Sequence, residues 1–258
     1  MLKRSWYELP KYYDLAFRDE TKLECDFFEA AFHRYADIPV RTVLEPACGS
    51  GRLIREMARR GYQMLGFDVS SEALRYCRER LRRCGLHAIV FKADMTRFAL
   101  RKPVDAAFNT FDSFRHLLTE EAALDHLRKM VEALRPGGIY ILGLHLLPPD
   151  ADDCCVERWR SRHGLLQLST TLRVVWADRR RRLEKLRINL LIRRPSGTLR
   201  VRDEFLIRIY NARQLYRLIR KVPQFRCCDV FDYWYEIDRP LKLDDHLADA
   251  VLVLKRIE

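Results

Sequence analysis

No uninterrupted apolar run in this 258-residue chain approaches the roughly 20 residues needed to span a bilayer, so a helical membrane class is not expected. The opening MLKRSWYELPKYY lacks the apolar core of a secretory leader, and the expected location is the cytoplasm. The eight cysteines never fall at C-x-x-C spacing; Cys154–Cys155 and Cys227–Cys228 are adjacent pairs, read as reduced thiols rather than a disulfide framework or a zinc site. No metal-ligand constellation is evident. Acids are also in short supply, 36 against 48 Lys and Arg, giving a formal charge of +12 and a field that attracts phosphates or acidic partners. Nearly half of the residues are apolar, enough to build the core of one α/β domain carrying an insertion.

The most telling segment is TVLEPACGSGRL. Thr42, Val43 and Leu44 read as a buried parallel strand, and RLIREMARRG places Leu53, Ile54, Met57 and Ala58 at helical spacing before Gly61. Between them Gly49 and Gly51 supply the tight turn and close backbone approach that a bound nucleotide requires. The third glycine of G-x-G-x-x-G is missing, with Ile54 in its place, so a nicotinamide dehydrogenase is disfavoured. Cys48 in the turn reads as the small side chain that the turn demands, since no paired base stands near it.

Three further apolar runs end in polar residues. GYQMLGFDVS ends in Asp68, HAIVFKADM in Asp94, and VDAAFNTFDSF carries Asn109 after Phe108. In an open parallel sheet ligands bind beyond the carboxyl ends of the strands, so Gly49, Asp68, Asp94 and Asn109 should converge. An acid at the end of the second strand can accept hydrogen bonds from both hydroxyls of a ribose. Each acid has an alternative role as a helix cap or solvated loop residue, and Met95 as a core residue.

With EALRPGGIYILGLHL supplying a helix, a Pro-Gly-Gly turn and a fifth strand, residues 42–146 resemble the class I S-adenosylmethionine-dependent methyltransferases of small-molecule type. The resemblance implies an α/β fold with a seven-stranded, mostly parallel, doubly wound sheet. It also implies S-adenosylmethionine as cofactor: Glu45 and the loop from Cys48 through Gly49 to Gly51 would hold its methionine part, Asp68 the ribose, Asp94 with Met95 the adenine, and Asn109 the region beside the sulfonium, with Ala47 and Val69 as further cofactor contacts. The Asn/Asp-Pro-Pro-aromatic signature of base-amine methylation is absent after the fourth strand, where Asn109-Thr110-Phe111-Asp112 stands instead.

The whole chain, 1–258, is read as one domain with a helical N-terminal cap over 1–38 and an antiparallel β insertion over 151–210, after strand five, forming a substrate lid. LLQLSTTLRVVWAD and TLRVRDEFLIRIYN alternate as strands do. RLEKLRINLLIRR is either a third strand or a helix with Leu183, Leu186 and Leu190 on one face; its β-branched, period-two neighbours favour the strand. Asn211 is positioned to cap a following helix, and FRCCDVFDYW and AVLVLKR close the sheet.

Tyr13 is the candidate cofactor cover and Tyr12 a substrate contact, both with plain packing as the alternative. His145 and His116 are candidate bases for deprotonating the acceptor. Asp112 could hold an amine, and Trp159, Arg173, Trp176 and Arg208 could shape a pocket for an aromatic or carboxylate group. The expected partner is a small-molecule methyl acceptor. RNA or protein methylation using the basic surface is the second reading, and a non-catalytic cofactor-binding module the third. Against nucleic acid, the arginines of the first two helices interleave with acids and apolar residues, and the run 179–182 reads as a hairpin turn.

Overall fold

The computed structural model describes residues 2–3 and 5–257. In chain order its elements are β1 (Leu2–Lys3), α1 (Pro10–Ala16), α2 (Thr21–Tyr35), β2 (Thr42–Pro46), α3 (Arg52–Arg59), β3 (Gln63–Asp68), α4 (Ser71–Arg83) and β4 (Ala88–Lys92). There follow β5 (Val104–Asn109), a 3-10 turn (Ser113–His116), α5 (Glu120–Ala133), β6 (Leu134–His145) and the insertion strands β7 (Val156–His163), β8 (Leu166–Asp178), β9 (Leu183–Arg194) and β10 (Gly197–Arg208). The chain closes with α6 (Ala212–Arg220), β11 (Phe225–Phe231) and β12 (Asp249–Arg256).

The large sheet has the order β11-β12-β6-β5-β2-β3-β4. Its β4, β3, β2, β5 and β6 are mutually parallel, and β12 runs antiparallel to both neighbours. The chain leaves β2 toward β3 and β4, then crosses back to β5, so the sheet reverses direction beside β2. A crevice therefore opens between the ends of β2 and β5. This is the seven-stranded doubly wound sheet expected from the sequence.

Both faces of the sheet are covered, which is why its strands read as apolar runs rather than alternating ones. One face packs Phe27 and Phe28 of α2, Leu53, Ile54 and Met57 of α3, and Leu74 and Cys77 of α4. Leu127 and Met130 of α5 and Leu215 and Leu218 of α6 cover the other. Ile54, standing where a dinucleotide fingerprint would have glycine, is accommodated by Gly66 of β3: a Cβ at Gly66 would overlap Ile54 Cδ1. The glycine that permits close helix–strand packing has moved from the helix to the strand. Asn211 caps α6 in a reciprocal capping box with Gln214, as its position in the sequence suggested.

The second sheet has the order β1-β10-β9-β8-β7. The residues open to either a helix or a strand are the strand β9. Its period-two burial places Glu184, Leu186, Ile188, Leu190 and Ile192 inside, because the neighbouring strands β8 and β10 satisfy its backbone along the full length. Two elements were not read from the sequence. The exposed, arginine-rich β7 shows little apolar alternation, and β1 lies in the segment expected to be a helical cap but pairs in parallel with β10. All eight cysteines are free thiols. Among the described residues no helix is long and apolar enough to cross a membrane, and no cluster of metal-ligating side chains occurs.

Candidate active site

A cavity of about 730 Å³ lies at the carboxyl ends of β2, β3 and β5, lined among others by Glu45, Asp68, Asp94 and Asn109. Ala47, Cys48, Gly49, Val69, Met95, Tyr13 and His116 are also in its wall. The four strand ends thus meet at one place, although Asp68 and Asn109 are distant in sequence.

The turn after β2 holds Ala47, Gly49 and Gly51 in the left-handed region, at φ 51°, 51° and 67°. Its shape is tied to β3 by the Cys48 N–H donating to the Phe67 carbonyl at 2.9 Å and the Gly49 N–H donating to Asp68 Oδ2 at 2.8 Å. Asp68 Oδ1 accepts from the Ser70 N–H at 2.8 Å. Burial raises the Asp68 pKa against the pull of these donors. Each carboxylate oxygen keeps a second lone pair, so the same side chain can shape the loop and still accept from a ligand. Burial also pushes the Cys48 thiol well above its usual range, which fits a packing role and not a nucleophile.

Two acceptors in the wall have no hydrogen-bond partner among the described residues. Glu45 Oε2 and Asn109 Oδ1 are buried without a hydrogen bond, while the Asn109 amide donates to the Pro46 carbonyl at 2.9 Å. Burial raises the Glu45 carboxyl well above the ordinary carboxylate range; Arg52 opposes the shift and Glu24 adds to it. Asp94 uses Oδ1 to accept from the Thr96 hydroxyl and N–H at 2.6 and 2.7 Å, and these bonds hold its pKa low. From the N-terminal segment Tyr7 reaches into the wall, its hydroxyl 2.8 Å from His116 Nε2. Burial lowers the His116 pKa, so its imidazole is neutral at pH 7.

Several expected site residues stand elsewhere. Gly51 is not in the wall; it turns the chain behind it, packed on Cys77. Tyr12 joins the core of the small sheet with Trp159, which packs on Phe17. Asp112 is committed to internal partners: Oδ2 pairs with Arg115 and Oδ1 accepts from the His145 N–H. His145, 2.5 Å from Asp249, lies outside the cavity; against the effect of burial, Asp112 and Asp249 push its pKa up to about 9, so at neutral pH it is a cation and not a base. Arg208 donates to the Leu118 carbonyl at 2.5 Å and lies over the Tyr210 ring. Arg173 and Trp176 register with Arg187 and Lys185 on the outward face of the small sheet. The 151–210 insertion contributes none of the residues lining this cavity. Its inner face instead packs Trp6, Leu15 and Ala16 of the N-terminal segment, which does line it through Tyr7 and Tyr13.

The sequence reading missed Arg52, Phe111 and Glu24. Arg52 is buried in the wall, its Nη1 2.5 Å from Glu24 Oε1 and its guanidinium 5.4 Å from the Phe111 ring centroid. Thr110 donates to Glu24 Oε2 at 3.0 Å, so the pair joins α2, α3 and the end of β5. The available signal was an acid within the apolar stripe of α2, next to Cys25 and before Phe27 and Phe28, with one buried cation directly behind the glycines to match it.

Comparison with known proteins places this geometry. A family model described as a methyltransferase domain matches residues 43–138, the stretch from β2 to the start of β6. Residues 43–138 form a methyltransferase domain. The dTDP-3-amino-3,4,6-trideoxy-alpha-D-glucopyranose N,N-dimethyltransferase of Streptomyces venezuelae is 28% identical over 101 residues, covering 39% of this chain and 41% of that protein. The chain thus spans about two fifths of the curated relative's length. Among solved structures, an S-adenosylmethionine-dependent methyltransferase from Clostridium acetobutylicum superposes with a TM-score of 0.79 at 16% identity, covering 97% of this chain and 98% of the other. Streptomyces venezuelae DesVI superposes at 0.75 with 18% identity and 94% coverage of each chain. The class I methyltransferase fold therefore extends across the cap and insertion that flank the methyltransferase domain.

Proposed function

We propose that the chain transfers a methyl group from S-adenosylmethionine to a nitrogen of a small-molecule acceptor. The observation that carries this reading is the pair of unpartnered acceptors, Glu45 Oε2 and Asn109 Oδ1, in the same wall as Asp68. A buried acceptor without a donor costs about 1–3 kcal/mol, so a ligand that brings donors there is favoured. S-adenosylmethionine carries an ammonium and a sulfonium, whereas a dinucleotide would bring a diphosphate toward Glu45, Asp68 and Asp94.

Bound in this cavity, the cofactor supplies an electrophilic methyl group. Glu45 and the turn 47–51 would hold its methionine part, Asp68 the ribose hydroxyls, and Asp94, Met95 and Val69 the adenine side. Asn109 would stand beside the sulfonium. Alignment of the acceptor with the methyl group supplies much of the acceleration, and the remaining need is a place for the acceptor's proton. Neutral His116, paired with Tyr7, is that place. The amine-methylating activity named for the Streptomyces relative supports nitrogen as the acceptor atom. The N-terminal segment, carried on the insertion, serves as the cover over the bound pair.

Calorimetric titration with S-adenosylmethionine and S-adenosylhomocysteine is expected to show micromolar binding, and NADH none. The Glu45 carboxyl, raised by burial in the free protein, should ionise when an ammonium arrives. Binding should therefore release a proton, measurable as a dependence of the heat on buffer ionisation enthalpy, and affinity should rise with pH through that raised pKa. Preference for NADH would overturn the reading, and absence of proton release would remove Glu45 from the ammonium site.

His116→Ala is expected to lower kcat by about 10²- to 10⁴-fold while leaving S-adenosylhomocysteine affinity nearly unchanged. Because the pKa of His116 lies below its ordinary 6.5, the wild-type rate should hold at neutral pH and fall only as pH drops below that value. An unaltered acid limb in the variant would assign the base elsewhere.

A further inference from the structure

We propose that the outward face of the five-stranded sheet binds the phosphate backbone of single-stranded nucleic acid. Side chains on a strand alternate between faces, and β9 buries its even-numbered residues against Trp6, Leu15 and Ala16. Lys185, Arg187 and Arg193 therefore point outward. The register of the neighbouring strands adds Arg173 opposite Arg187, Arg202 opposite Asn189 and Arg200 opposite Leu191. On β7 the same parity brings out Arg158, Arg160 and Arg162, while Trp159 and Ser161 turn inward to Phe17 and the Ala16 carbonyl.

Two acids share this face, Glu204, paired with Lys185 and Arg187 at 2.7 and 2.6 Å, and Asp178 at the Trp176 end, paired with Arg181. Arg158, Arg160, Arg173, Arg193 and Arg200 are exposed and have no ion pair among the described residues. The run 179–182, which stands out in the sequence, is by contrast partly consumed: Arg179 pairs with Asp153 and Arg182 with Glu120. Much of the unneutralised charge of the insertion therefore lies on the sheet face and not at its hairpin.

Two features select the partner. Alternate residues along one strand stand about 6.6–6.8 Å apart and neighbouring strands about 4.7–4.9 Å apart, so the guanidinium groups form a two-dimensional array of planar forks suited to successive phosphates. Trp176, 42% exposed, shares the Lys185 end of the face and offers a ring on which an unpaired base can stack. A second copy of this chain is a poor occupant, since two-fold symmetry would set arginine rows against arginine rows. The face lies on the opposite side of the sheet from the N-terminal segment and its cavity, so occupation does not depend on the small-molecule reading.

The test is fluorescence anisotropy of a labelled single-stranded RNA of about 20 nucleotides with the full chain, across a salt series. Engagement of about four phosphates predicts a slope of log K against log salt near −3, from about −0.7 per phosphate. Arg158→Glu with Arg160→Glu should weaken binding at least tenfold, and Trp176→Ala severalfold. Arg75→Glu with Arg82→Glu on α4 should change it little, and all of these variants should bind S-adenosylhomocysteine as the wild type does. No RNA binding, equal loss in the α4 variant, binding to phosphatidylserine vesicles without binding to RNA, or a dimer dissolved by the face substitutions would each overturn the proposal. Failure to bind S-adenosylhomocysteine with RNA binding intact would instead count only against the enzymatic reading.

Discussion

Arg52→Met is expected to lower the stability to unfolding by about 3–5 kcal/mol, the range for stranding one partner of a buried ion pair. Glu24 is fully buried and Arg52 nearly so, and their 2.5 Å contact is supported by Thr110 donating to Glu24 and by Arg52 donating to Thr21 at 3.0 Å. Removing the guanidinium leaves a carboxylate with only a hydroxyl for company, in surroundings that also hold Glu45. The loss should be smaller in Arg52→Met combined with Glu24→Met, because a well-packed apolar pair replaces the ionic one at little net cost. Urea denaturation of both variants measures this as a shift in midpoint at constant slope. Equal destabilisation of single and double variants would show that packing of the long arginine side chain against Phe111, not its charge, is what matters.

Gly51→Ala is expected to cost about 2–5 kcal/mol, combining about 1–2 kcal/mol for a left-handed non-glycine residue with about 1–3 kcal/mol for overpacking. At φ 67° the new Cβ would overlap Cys77 Sγ on α4. Cys77→Ala in the same chain removes the sulfur while its Cβ remains 3.1 Å away, so it should restore part of the loss and leave the backbone penalty. The effect on cofactor affinity should exceed that on stability, since the turn aims the Gly49 N–H at Asp68 and so shapes the cavity floor. Thermal melts with and without S-adenosylhomocysteine separate the two contributions. A Gly51→Ala chain with unchanged melting temperature would mean that the turn relaxes freely.

Much of this protein was legible in order along the chain. The apolar runs, the glycines behind the first and the polar residue at each strand end follow from local rules, and a parallel sheet buried on both faces must make its strands continuously apolar. The alternation in β9 settled strand over helix because the neighbouring strands were present to pair with it. The strand β7 escaped notice for the converse reason: an edge strand covered by little has no apolar period to display.

What remained hidden depends on which side of an element a residue faces. His145 and His116 look equivalent in sequence, yet one is flanked by Asp112 and Asp249 and held as a cation, while the other is half-buried beside Tyr7 and kept neutral. Arg173 and Trp176, read as pocket residues, point away from the cavity because strand parity puts them on the outward face. The sequence by itself determined the sheet, the turn and the cavity floor, since these rest on backbone conformation and local periodicity. The tertiary structure alone decided which ionisable groups are paired, neutral or free, because charge state follows from burial and from partners that are distant in the chain.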